Sequence, residues 1–164
     1  MRFKHSLVAL SAAFSSAISS APLAAAPAIS TDAWPADLRP LVAELKRVGY
    51  TINLSKPPVP GAYGATNAKK KIIWVEPITK ELGIFRQTFL HEAVHAAQGC
   101  PSGRMRPIGW EITLNPAVER EIAGIMYRNY AHNKFPLERE AFGMQGKPSA
   151  PELIIQELKK RCRP

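Results

Sequence analysis

His91-Glu92-Ala93-Val94-His95 sits inside a run that also holds Phe85, Phe89, Leu90, Ala96 and Ala97, and no other stretch limits the fold so sharply. At about 100° per residue, positions four apart return to one helix face one turn on, so the two histidines project side by side. The apolar residues cover most of the remaining circumference, which predicts a core helix. Two imidazoles and a carboxylate in such a helix need polar partners, because an unpaired buried polar group costs on the order of 1–3 kcal/mol. A zinc ion gripped by His91 and His95, with Glu92 placed to take a proton from a water on the metal, meets that need. Gly99 and Pro101 supply the stop.

A catalytic zinc requires a third protein ligand and an open position. Among the later carboxylates, Glu119 and Glu121 fall on the flanks of a helix predicted over 116–130, whose apolar face is Val118, Ile122, Ile125 and Met126. In the next helix, predicted over 136–145, Leu137, Ala141 and Met144 define the inner face and Glu138 lies between that face and Phe142. Glu138 is therefore the favoured third ligand, with Ala141 one turn on allowing close approach to the histidine helix. Glu140, at the other margin, is the alternative third ligand or an acceptor for a histidine N–H.

Arg2, Lys4 and His5 precede an uncharged stretch from Ser6 to Ile18 and a small-residue region ending near Ala26-Pro27-Ala28. This is the pattern of a cleaved signal peptide over 1–28, leaving 29–164 as one domain in a secreted or periplasmic protein. No later stretch reaches the ~20 apolar residues of a transmembrane helix. In an oxidising compartment the two cysteines, Cys100 and Cys162, are expected to pair. Closing that loop contributes about 4 kcal/mol by chain entropy.

Net charge is +9, and loss of Arg2 and Lys4 with the signal leaves +7. Anionic envelope polymers are candidate partners on that basis. The clusters Lys69-Lys70-Lys71 and Lys159-Lys160-Arg161 do not interleave with aromatics, so nucleic acid is not expected. Solvated surface charge is the plainer reading of both.

Along the chain, a helix is predicted over 36–48, with Leu38, Leu41, Val42, Leu45 and Val48 as its stripe. A short strand over 50–54 and a proline-rich connection over 56–61 follow. Segments 62–66 and 71–75 flank Asn67-Ala68-Lys69-Lys70 and read as a hairpin. That hairpin either pairs with an extended peptide beside the metal cleft or simply covers the helix. An amphipathic helix over 151–158 closes the chain.

His91-Glu92-Ala93-Val94-His95-Ala96-Ala97-Gln98, together with Leu137-Glu138-Arg139-Glu140-Ala141-Phe142, resembles the gluzincin zinc metallopeptidases, particularly the small single-domain forms. The resemblance spans about 62–145. It implies an α+β zincin-like core, with a small antiparallel sheet or hairpin packed on the histidine helix, an edge strand facing the cleft, and C-terminal helices. Many relatives carry an aspartate directly after the alanine of the second motif, where this chain has Phe142. The expected activity is hydrolysis of peptide bonds in a peptide or protein substrate by a monomeric enzyme, with Glu92 as general base. Tyr63, Tyr127, Tyr130 and His132 are candidate oxyanion donors, and Arg104 or Arg106 a candidate site for a substrate carboxylate. Two other readings stand beside it: a non-catalytic, zinc-stabilised binding protein of the cell envelope, and an amidase acting on cell-wall peptides.

Overall fold

A computed structural model describes residues 34–129 and 135–162. The signal segment over 1–28 lies outside these residues, as do Tyr130 and His132. The described elements run α1 (Arg39–Arg47), β1 (Thr51–Asn53), β2 (Gly64–Asn67), β3 (Ile72–Val75), α2 (Ile78–Glu81), α3 (Phe85–Gln98), α4 (Pro116–Asn129), α5 (Phe135–Gln145) and α6 (Ala150–Arg161). The fold is α+β.

The expected hairpin is present. β2 and β3 pair antiparallel with Thr66 opposite Ile73, and Lys71 takes a left-handed φ of 53° in the turn between them. β1 adds to the other side of β3 in parallel, so the sheet is mixed rather than antiparallel, with order β1-β3-β2. The reason lies in the connection: the proline-rich segment after β1 carries the chain past β3 before β2 begins, and β3 then returns into the middle. β2 is left as an edge strand.

α3 is a core helix, as its composition requires. From Phe89 to Gln98 every residue is buried. Leu38 at the cap of α1, Leu41 and Leu45 of α1, Ile73 and Val75 of β3, Ala141 and Met144 of α5, and Ile154 and Leu158 of α6 share one apolar cluster with it. Trp34 packs on Phe85 and Phe89 at ring-centroid distances of 5.5 and 4.7 Å and closes the start of the helix. The buried Tyr50 hydroxyl donates to the Ala96 carbonyl at 3.0 Å, which satisfies a group that would otherwise be stranded in the core. Cys100 and Cys162 form a disulfide, tying the end of α6 to the end of α3.

α4 departs from its expected packing. Ile122 is buried, but Val118 and Ile125 are 44% and 37% exposed, because among the described residues α5 is the only helix with which α4 makes an extensive contact. Glu119 pairs with Arg139 of α5 at 2.8 Å rather than standing alone in solvent. No described helix is long and apolar enough to cross a membrane.

Candidate metal centre

Two helices and one strand build the site. α3 presents His91 and His95 one turn apart, and α5 crosses it closely enough to bring Glu138 between them. The two Nε2 atoms lie 3.1 Å apart. Glu138 Oε2 is 3.2 Å from that of His91 and 3.4 Å from that of His95. A tetrahedral ion with bonds of about 2.0–2.1 Å sets its ligand atoms about 3.3 Å apart, so this triangle has the dimensions of one face of such a coordination sphere.

The hydrogen bonds around the triangle fix which way the rings face. Gln98 Nε2 donates to the Leu137 carbonyl and to Glu140 Oε2, both at 2.9 Å, so its Oε1 must face His95. That oxygen accepts from His95 Nδ1 at 2.7 Å. With the proton held on Nδ1, the Nε2 lone pair points into the triangle. Gln145 Oε1 plays the same part for His91 Nδ1 at 3.1 Å. Glu138 Oε2 is buried without a well-directed donor; its short approaches to the histidines are electrostatic. Three acceptors converging on one point in a buried site repel one another unless a cation or proton lies among them, and the group can bind a metal ion.

The electrostatics of the group point the same way. Burial alone would raise the Glu138 carboxyl, but the attraction of His91 and His95 beside it outweighs burial and pulls the value down to about 2. Burial opposes a charge on His95, yet the neighbouring Glu138 and Glu92 raise its pKa. Glu140 has a different job from the one expected of a ligand. Its Oε1 accepts from Gly109 N at 2.6 Å and its Oε2 from Ile108 N at 2.8 Å and from Gln98, so both oxygens are committed away from the triangle. Glu140 reaches His95 only through Gln98, while it pins the 108–109 loop.

Glu92 lines the same cavity, of about 450 Å³, as His91, His95 and Glu138. The far wall is β2. Thr66 Oγ1 lies 2.8 Å from Glu92 Oε2 and 2.9 Å from the Glu92 carbonyl, and its single proton serves one or the other. Gly64 lets the strand come that close, since a Cβ there would sit 2.7 Å from Glu92 Oε1 and 2.9 Å from Thr88 Cγ2.

Other expected contributors lie elsewhere. Tyr63 is 47% exposed and Tyr127 80% exposed, and neither lines the cavity. Arg104 and Arg106 are also off the cavity: in the loop after α3, Gly103 and Met105 face the cleft, while Ser102, Arg104 and Arg106 face a separate recess. The Phe142 ring packs edge-on against His91 at 4.6 Å. Gln145, three residues further on, is the acceptor that faces His91 Nδ1.

Sequence reasoning missed Thr66, Gly64, Gln98 and Gln145. Gln98 had a local sign, because a residue three after His95 on a helix shares its face. Thr66 had none: it meets Glu92 across 26 residues of chain through a strand whose register only the fold sets. No family model, curated protein or solved structure matches the chain.

Proposed function

We propose that the chain is a zinc-dependent hydrolase of peptide bonds. The observation that carries this reading is Glu92, a carboxylate held by Thr66 in the same cavity as a triad with the dimensions of a tetrahedral metal site. Two imidazoles and one carboxylate are a donor set that suits zinc, and the matching of both histidines to amide oxygens keeps their Nε2 atoms available to it. When bound, zinc supplies Lewis acidity that polarises a carbonyl and makes water a nucleophile near neutral pH.

The protein's own residues do the rest. His91, His95 and Glu138 hold the ion, while Gln98 and Gln145 keep the rings aligned. With Oε2 engaged by Thr66, Glu92 receives the proton of the attacking water on Oε1 and returns it to the departing amine. The substrate backbone lies extended along the open edge of β2, which is paired on its other side only. Export to an oxidising compartment goes with this reading, supported by the Cys100–Cys162 bridge and the N-terminal composition.

The test is cleavage of a peptide library by zinc-loaded protein and by Glu92→Gln. Cleavage by the first and a loss of at least a hundredfold in the second are expected. Bound zinc with no cleavage by either protein, and a collapse of folding stability on chelation, would instead identify a metal-stabilised binding protein.

A further inference from the structure

On the far side of the 102–106 loop from the metal cavity lies a recess of about 440 Å³ lined by Cys100, Pro101, Ser102, Arg104, Arg106 and Arg161. We propose that this recess binds the phosphate groups of an anionic chain or surface, independently of any catalysis.

Two stretches free of aspartate and glutamate, residues 93–110 and 158–162, meet there. The Cys100–Cys162 disulfide holds the two together, and Cys100 lines the recess. The local positive charge is therefore set by the chain's own segregation of acids, and among the described residues no carboxylate lines the recess.

The guanidiniums are also available. Among the described residues Arg104 and Arg106 are exposed and their side chains have no carboxylate or carbonyl partner. Arg161 is held in place by the carbonyls of Arg106 at 3.2 Å and Pro107 at 3.4 Å, and its Nε is a buried donor without an acceptor. Two loop arginines and one helix arginine approach from different segments. A carboxylate has two coplanar oxygens and is saturated by one guanidinium fork, whereas a tetrahedral phosphate offers oxygens in several directions. Two uncommitted forks beside a third, fixed guanidinium favour phosphate over an acidic peptide.

The experiment is calorimetric titration of the purified chain with inorganic tripolyphosphate at fixed ionic strength. Alongside it, the chain is sedimented with phosphatidylglycerol and with phosphatidylcholine vesicles. Saturable tripolyphosphate binding is expected, weakened at least tenfold in Arg104→Gln/Arg106→Gln. It should stay within twofold of wild type in Lys56→Gln/Arg120→Gln, which removes the same charge elsewhere. Equal melting temperatures of the two double variants show that both are folded. Vesicle binding that needs both Arg104 and Arg106 assigns the phosphate to a lipid headgroup, and tripolyphosphate binding without vesicle binding assigns it to a free polymer; either supports the site. Equal weakening by the two double variants would reduce the effect to net charge and overturn the proposal. So would absence of saturable binding, or equally tight binding of poly-glutamate.

Discussion

The Thr66 hydroxyl lies 2.8 Å from Glu92 Oε2, so the carboxylate proposed as general base is fixed from the edge strand and not from its own helix. A hydrogen bond to a charged group is worth about 1.5–3 kcal/mol. Thr66→Val, which keeps shape and removes the hydroxyl, is therefore expected to lower kcat roughly 10- to 100-fold. Zinc content should be unchanged, and Thr66→Ser should recover most of the rate. Steady-state kinetics on a cleaved peptide, with metal analysis of each variant, checks this. A Thr66→Val enzyme as fast as wild type would remove Thr66 from the mechanism.

Gln98 connects the metal site, through Glu140 of α5, to the 108–109 loop. It accepts from His95 and donates to Glu140, which in turn receives the amides of Ile108 and Gly109. Gln98→Leu is expected to weaken zinc affinity 10- to 100-fold, the range found for partners of metal-bound histidines. Competition with a chromogenic chelator measures it.

The two acidic residues of α5 separate by what they lose. Glu138→Gln should abolish stoichiometric metal binding. Glu140→Leu should retain a site but destabilise the fold by about 1–3 kcal/mol, because the amides of Ile108 and Gly109 lose their acceptor and Gln98 keeps only the Leu137 carbonyl. Urea denaturation and metal analysis of the two variants should move in opposite directions. Metal retained by Glu138→Gln and lost by Glu140→Leu would reverse the assignment.

Stability of the metal-free protein should depend on pH in a set direction. Glu138 is lowered from 4.5 to about 2, so its contribution is complete above about 4.5 and lost as pH falls toward 2. His95 is raised above 6.5, so its contribution is present below 6.5 and lost as pH rises through the higher folded value. Metal-free protein is thus expected to be most stable between about 4.5 and 6.5, with Tm falling from there toward pH 9. Zinc takes the place of the proton, so the Tm gained on zinc addition should widen over the same interval. Thermal melts with and without zinc at pH 6 and pH 9 test it.

The sequence carried the core helix, the two histidines and the disulfide, because each rests on local spacing or on a count of two. Glu138 was legible because its place between Ala141 and Phe142 on a helix predicts burial, and Glu138 is 6% exposed. The mixed sheet was not legible: whether β1 joins β3 in parallel depends on how the 56–61 connection returns, and strand composition says nothing of that. The exposed apolar residues of α4 escaped for a related reason. A stripe such as Val118, Ile122 and Ile125 marks a face that wants cover without naming the element that covers it. Thr66 and Gln145 are products of tertiary approach, and neither has a motif.

The most direct measurement is zinc bound per chain at equilibrium, by dialysis and elemental analysis, for the wild type and for His91→Ala, Glu138→Gln, Glu140→Gln and Glu92→Gln. One ion per chain is expected in the wild type, in Glu140→Gln and in Glu92→Gln, with loss in His91→Ala and Glu138→Gln. A wild-type chain that binds no zinc, or one whose zinc survives the loss of His91 and of Glu138, would contradict the account.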